Sequence, residues 1–329
     1  MNRSKTQPLR DRVAIVAGAT RGAGRGIARG LGEAGAVVYC AGRSVAGHPS
    51  PYGRPETIDE TAALVNDAGG TGIAARVDFT VEAEVEAFME RVRSEQGHLD
   101  VLVSSIAGED PRMGGWGSFW KTDLIEADAV VRAALLSHII AAKHAAPLMM
   151  KRKRGLIVEV TEHDLPGGAG GNVIAGLVKG ALKELAVRFA EELRPHKVAA
   201  IAITPGFLRS ETMLERFGVT EANWREGGTK DPNFLASESP LFIGRAVAAL
   251  AAERNVMARS GDLTSSWALA REFGFTDADG TTPDWGRHAA EKVAPAMKWM
   301  RDGLERQRDW LLKMAHRANE YLGQAACAV

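Results

Sequence analysis

The sequence predicts an α/β fold, a doubly wound parallel sheet with helices on both faces, extended at its carboxyl end by a helical segment. Three observations carry this. A β-branched run (Val13, Ile15, Val16) passes through a glycine turn holding Gly18, Gly22 and Gly24 into a helical pattern from about Arg25. Short apolar runs and amphipathic stretches then alternate, the pattern of parallel strands joined by crossover helices. The 329 residues suffice for one large domain and an addition.

The elements follow in order. Residues 36–41 (A-V-V-Y-C-A) form a second, buried strand. Residues 44–56 hold three prolines among glycine and serine, a loop longer than a tight βα connection, and such loops are often functional. Residues 58–68 read as a helix with Leu64 and Val65 inward, 71–78 as the third strand, and 81–96 as a helix with Val85, Phe88, Met89 and Val92 on one face. The fourth strand, 99–103, leads into a loop with Gly114, Gly115, Trp116, Gly117, Phe119 and Trp120, whose aromatics either line a substrate mouth or cap the sheet. A long helix spans 127–150. The K-R-K-R that follows at 151–154 reads as a solvated helix end rather than a nucleic-acid contact. Strands at 155–160, 198–203 and 260–264 alternate with helices at 172–193 and 244–252.

Beyond these, 271–285 is rich in turns and 289–322 is an amphipathic helix with Val293, Met297, Met300, Leu304, Trp310 and Leu311 at its apolar positions. Such a stripe needs a surface to bury against, in its own domain or on a second subunit. The expected division is 1–275 and 276–329.

Composition narrows the function. Lys+Arg and Asp+Glu are equal at 41 each, so no global charge argues for nucleic acid or a membrane surface. No run of about 18 uncharged apolar residues is present, and the first residues lack the apolar core of a signal peptide. Two cysteines, Cys40 and Cys327, suit a reducing compartment and make no metal cluster. A soluble cytoplasmic protein acting on a small-molecule substrate is expected, with no metal.

Glycines at 18, 22 and 24 let backbone pass close to a phosphate, and the helix that opens after them offers free N–H groups and a positive dipole end. A strand before, a helix after and the first place in the chain make this a dinucleotide-binding turn. At the end of the second strand stand Gly42, Arg43 and Ser44, with no acid where a carboxylate would bind the ribose hydroxyls. Arg43 and Ser44 suit a 2′-phosphate instead, and Arg21 in the glycine turn adds a second cation. NADP(H) is therefore expected in preference to NAD(H).

The spacing G-x-x-x-G-x-G, with Ala17 before it, resembles the T-G-x-x-x-G-x-G turn of the short-chain dehydrogenase/reductase family. Two later landmarks resemble it too. Ser104 and Ser105 open S-S-I-A-G where the family has N-N-A-G, and T-P-G-F-L-R-S follows the sixth strand. Order and spacing match over roughly residues 10 to 275. The long 44–56 loop, the F-W at 119–120 and the tail R-E-F-G-F-T-D-A-D-G resemble one dehydrogenase/reductase branch with bacterial members. The resemblance implies a Rossmann-type sheet and a dimer or tetramer. It also implies a cofactor held by Gly18, Thr20, Arg21, Gly22 and Gly24 in the turn, by Asp78 and Phe79 at the adenine, and by Ser104 after the fourth strand. Lys179 would hold the nicotinamide ribose, Pro205, Gly206 and Leu208 would abut the nicotinamide, and Ser210 would hold its carboxamide.

The catalytic half of the pattern is altered. The family places a Tyr four residues before its Lys, a Ser about thirteen before that Tyr, and an Asn on the preceding helix. Here Lys179 keeps its place, Ala175 replaces the Tyr, Glu162 (after Thr161) replaces the Ser, and the Asn position falls near Ala134. No Tyr lies between Tyr52 and Tyr321 to take over by a shift of register. Two readings follow. In one, an oxidoreductase uses Glu162 as its acid–base group with Lys179 beside it. A carboxyl in an apolar cleft keeps its proton near neutrality, although a close ammonium opposes that. His138, His163 and Asp164 are weaker candidates, and the glycine-rich 166–171 loop leaves room for a bulky substrate. In the other reading, the chain binds cofactor without redox chemistry, as a cyclase- or lyase-type enzyme or as a regulatory or scaffold protein.

Overall fold

The structure, a computed structural model, describes residues 7–48, 50, 52–106, 118–162 and 173–296, with 298, 299, 302, 305, 307–309, 311 and 314 beyond them. Seven strands make one parallel sheet: β1 Val13–Ala17, β2 Val37–Gly42, β3 Thr71–Arg76, β4 Val101–Ser104, β5 Gly155–Val160, β6 Val198–Thr204 and β7 Leu263–Ser265. Their order is β3-β2-β1-β4-β5-β6-β7, the doubly wound arrangement expected. β1, β4 and β6 are buried along their whole length. Strands covered on both faces need apolar side chains throughout, which is why they stand out in the sequence as unbroken runs.

The helices are α1 Gly22–Glu33, α2 Ile58–Ala68, α3 Glu82–Gln96, α4 Leu124–Val131, α5 Ser137–Met150, α6 Val173–Leu193, α7 Glu211–Phe217, α8 Pro240–Ala252 and α9 Ser266–Phe273. One core layer joins Val16, Val38, Val103, Val158 and Ile201 of the sheet to Ile27, Leu31, Val65, Ile243 and Val247 of α1, α2 and α8. The other joins Ile15, Leu102, Ile157 and Ala200 to Phe88, Met89, Val92, Ala141, Ala145 and Met149 of α3 and α5. α1 and α8 touch backbone to backbone, since a Cβ on Gly26 would stand 1.8 Å from Pro240 O and one on Gly244 2.1 Å from Gly26 O.

Several boundaries differ from the sequence reading. α1 opens at Gly22, three residues before Arg25, because Arg25 N–H already donates to Arg21 O at 3.3 Å, with Gly22 taking the turn at φ +55. The long helix starts at Leu124, where Asp123 accepts from the N–H groups of Ile125 and Glu126, and a π turn at Arg132–Leu136 joins α4 to α5. α8 starts at Pro240, with Ser239 as its cap and proline in the first turn. α9 runs to Phe273, into a stretch read as turns. α2 keeps its expected ends, fixed by a Thr57–Glu60 capping box and a left-handed Gly69.

The chain divides into two compact units, one ending at Trp285 and the other starting at Gly286. The second is helical at its described positions, with a π turn at Ala289–Val293. Met297, Met300, Leu304 and Trp310 of the expected stripe lie outside the described residues, as does Cys327. Cys40 is buried on β2, and burial pushes its thiol up to about 12. Lys151 to Arg154 are exposed, the solvated helix end expected. Among the described residues no helix is long and apolar enough to cross a membrane, and no group of His, Cys, Asp and Glu could hold a metal ion.

Candidate active site

β1 neighbours both β2 and β4, so the chain changes direction there and a crevice opens at the carboxyl ends of the strands. Most of the expected site residues collect along that edge. Gly18 turns the chain at φ +84, and a Cβ on it would lie 2.3 Å from Ser105 O. A Cβ on Gly24 would lie 2.1 Å from Gly18 O, so Gly24 keeps α1 tight against its own turn. Thr20 Oγ1 lies over the end of β2, 2.9 Å from where Gly42 would carry a Cβ.

The amino end of α1 already meets an anion. Gly22 N–H donates to Glu211 Oε2 at 2.7 Å, and Arg25 Nη1 lies 3.4 Å from Glu211 Oε1. Arg25 also donates to Glu60 Oε2 at 2.6 Å and Thr61 Oγ1 at 3.1 Å. A turn that binds a carboxylate through backbone N–H has the donor chemistry a phosphate needs. Glu211 opens α7, which is tied further along by an ion pair between Glu215 and Arg54 of the 44–56 loop. Neither acid stood out in the sequence, since nothing local marks a contact made across 189 positions.

At the end of β2, Arg43 is about half exposed, with Nη1 3.9 Å from Asp78 Oδ2. Ser44 is buried, and its carbonyl accepts from Ile58 N–H. Arg21 acts on Glu56. Burial opposes that carboxyl's ionisation, but hydrogen bonds and charge from Arg54, with charge from Arg21, hold it below the usual range. Asp78 folds its own turn, accepting from Thr80 N–H at 2.9 Å and Thr80 Oγ1 at 2.7 Å. The Phe79 side chain is given to the core instead, edge-on to Phe88 at 6.5 Å, so only its backbone is left to face a ligand.

Lys179, on α6, is the best-placed catalytic candidate. Its side chain is 8% exposed, and Nζ lies 3.2 Å from Glu162 Oε1. Thr161, beside it, donates from Oγ1 to Lys179 O at 2.8 Å and from N–H to Ile203 O at 2.9 Å, fixing the chain after β5 against β6. Among the described residues no apolar cleft surrounds Glu162, whose side chain is 50% exposed and faces an ammonium. Ala134 and Ala175, at the places of the family's Asn and Tyr, come together in hydrocarbon, packed with Val130 and Val178. The π turn lies on this helix, directly around Ala134. His138 is a fully buried helix residue with Nδ1 2.5 Å from Glu159 Oε2. Ser104 is buried beside Glu159 in register, and among the described residues Ser104 Oγ has no hydrogen-bond partner. His163, Asp164 and the 166–171 loop lie outside the described residues, as do Gly114 to Gly117, while Phe119 and Trp120 are exposed.

After β6, Gly206 N–H of the Pro205–Gly206 turn donates to Glu238 Oε2 at 2.9 Å. Leu208 bridges to Glu238 as an isolated parallel pair, and Ser210 is the N-cap of α7, accepting from Met213 N–H. Arg209 is buried, its guanidinium 3.9 Å above the Trp224 ring and 2.9 Å from Glu221 Oε1.

The comparisons with known proteins agree with this geometry. The family model described as short chain dehydrogenase matches residues 12–218. Dehydrogenase/reductase SDR family member 1 of Mus musculus is 35% identical over 280 residues, covering 83% of this chain and 85% of that protein. The Homo sapiens protein of the same name is 33% identical over 285 residues, with the same two coverages. In fold, the chain is similar to a short chain dehydrogenase from Mycobacterium thermoresistibile (TM-score 0.68, 20% identity, covering 84% of this chain and 92% of that one). It is also similar to hydroxysteroid dehydrogenase from Escherichia coli (TM-score 0.62, 21% identity, 78% and 96%). The chain belongs to the short-chain dehydrogenase/reductase family of oxidoreductases, which use a nicotinamide cofactor.

Proposed function

We propose that the protein is an NADP(H)-dependent oxidoreductase that reduces a carbonyl, imine or activated alkene from a site without the family's Tyr and Ser. The pairing of buried Lys179 with half-exposed Glu162 carries this reading. Gly18, Thr20, Gly22 and Gly24 hold the diphosphate, and Arg43, Ser44 and Arg21 take the 2′-phosphate. Asp78, Phe79 and Ser104 line the adenosine side and the cleft floor. Lys179, Pro205, Gly206, Leu208 and Ser210 hold the nicotinamide end. NADP(H), when bound, supplies or accepts the hydride.

The chain must then move one proton to or from the substrate heteroatom, or the second carbon of an alkene. Glu162 is the group that does so. Its exposed face meets substrate, and the Lys179 ammonium, 3.2 Å from Oε1, orients it and stabilises its carboxylate once the proton has left. Association as a dimer or tetramer belongs to the same reading.

Titration with NADPH and NADH, followed by nicotinamide fluorescence, is expected to show tight NADPH and weaker NADH binding. Binding of neither overturns the reading. Glu162→Gln is expected to abolish turnover and leave NADPH affinity nearly unchanged, and retained turnover removes the assigned role. The hydrocarbon packing of Ala134 and Ala175 favours a second reading, cofactor binding without redox chemistry. NADPH binding with no NADPH oxidation across carbonyl, imine and activated-alkene panels would select it.

A further inference from the structure

Glu238 directly precedes Ser239, the cap of α8, and is 1% exposed. Its backbone is laced to the segment after Pro205. Glu238 N–H donates to Phe207 O at 2.8 Å, and Arg209 N–H donates to Glu238 O at 2.8 Å. Its side chain reaches back to the turn itself, where Oε2 accepts from Gly206 N–H at 2.9 Å and from Ser266 Oγ at 2.6 Å. A Cβ on Gly206 would stand 2.7 Å from Trp285 Cβ and 2.9 Å from this oxygen, so glycine is what lets the carboxyl in. Among the described residues, Glu238 Oε1 has no hydrogen-bond partner.

The surroundings disfavour charge on this group. Burial is the largest effect, and Asp277 adds to it. Hydrogen bonds from Ser266 and Gly206 and the charge of Arg209 pull the other way, and the carboxyl is left pushed up to about 8. Arg209 is a poor counter-ion because it is already shared with Glu221 and Asp277 and donates to Ser237 O at 2.6 Å. Asp277 is itself held by Ser239, whose N–H donates to it at 2.8 Å.

We propose that Glu238 is a positioning residue, a buried carboxyl that sets the Pro205–Gly206 turn in the shape that receives the nicotinamide end of the dinucleotide, and that its ionisation displaces the turn from that shape. The functional half of this rests on the NADP(H) reading. As a neutral acid, Glu238 accepts two hydrogen bonds on Oε2, and its burial costs less than that of a carboxylate. As an anion it holds those two bonds more tightly, while Oε1, without a partner among the described residues, must reach water, and the turn bonded to Oε2 moves with the carboxylate. The 2′-phosphate end, which on the same reading is held by Arg43 and Ser44 at the end of β2, lies outside the segment to which Glu238 is bonded.

The test uses the full chain labelled with ¹⁵N-glycine, as wild type, Glu238→Gln and Ser266→Ala. The Gly206 amide resonance is expected to titrate near the carboxyl's value of about 8 in the wild type. It should stay flat in Glu238→Gln and move its midpoint upward in Ser266→Ala, which loses a hydrogen bond to the anion. NADPH affinity should fall about tenfold between roughly pH 7 and pH 9.5, while 2′-phospho-ADP-ribose, which lacks the nicotinamide, changes less than about twofold. A Gly206 amide indifferent to pH in the wild type, or a Glu238→Gln protein that keeps the titration, overturns the positioning role. So does a parallel loss of both ligands. An amide that titrates in a protein that binds neither ligand overturns the NADP(H) reading and leaves the hold on the turn standing. If Glu238→Gln does not fold, the Ser266→Ala shift decides, and an unmoved midpoint counts against the proposal.

Discussion

Ala175 shares its surroundings with Val130, Ala134 and Val178, so the place where the family carries a phenol is filled with methyl groups. Ala175→Tyr is expected to overpack this cluster and cost about 1–3 kcal/mol, read as a lower thermal midpoint, rather than to restore the usual chemistry. At the other end of the cleft, Arg43→Ala is expected to weaken NADPH by about 10- to 100-fold, as for loss of charged hydrogen bonds, and NADH far less. Equal loss for both cofactors removes that assignment. Glu238 adds a stability slope. Its carboxyl is lifted from 4.5 to about 8, so on raising the pH the unfolded chain ionises first. The contribution is therefore full below 4.5, falls as pH rises, and levels off above about 8. Thermal melts of wild type should lose ground over that window relative to Glu238→Gln. The missing Tyr and the place of Lys179 were legible through the family resemblance. The exposure of Glu162 and the burial of Glu238 were not, because a carboxylate's surroundings depend on neighbours distant in sequence.

Among the elements, strands were the easiest to recognise, since burial on both faces writes a continuous apolar run into β1, β4 and β6. Helix starts were harder. α8 begins four residues before the expected Gly244 because its cap is Ser239, and its glycine serves α1 instead. Gly244→Ala sets a methyl group 2.1 Å from Gly26 O and is expected to cost about 3 kcal/mol or more, seen in denaturant melts; an unchanged midpoint would mean the helices part freely. α7 has seven residues and no sustained periodicity, and escaped notice entirely. Glu211→Ala frees the Gly22 N–H and is expected to tighten NADPH binding several-fold.

For the molecule as a whole, the alternation of strand and helix disclosed the sheet and the crevice at its β1–β4 boundary, while the partner of the terminal apolar stripe is not a property of its own residues. A chain ending near 286 is expected to lose subunit association or turnover, and unchanged solution mass with unchanged turnover overturns that expectation. The Glu211 carboxylate on α1 has a consequence for how binding responds to salt. A phosphate reaching Gly22 trades places with an anion the protein supplies itself, so ions in solution weaken the incoming contact and the outgoing one together. The fall of NADPH affinity with ionic strength should accordingly be steeper once residue 211 carries no charge than in the wild type.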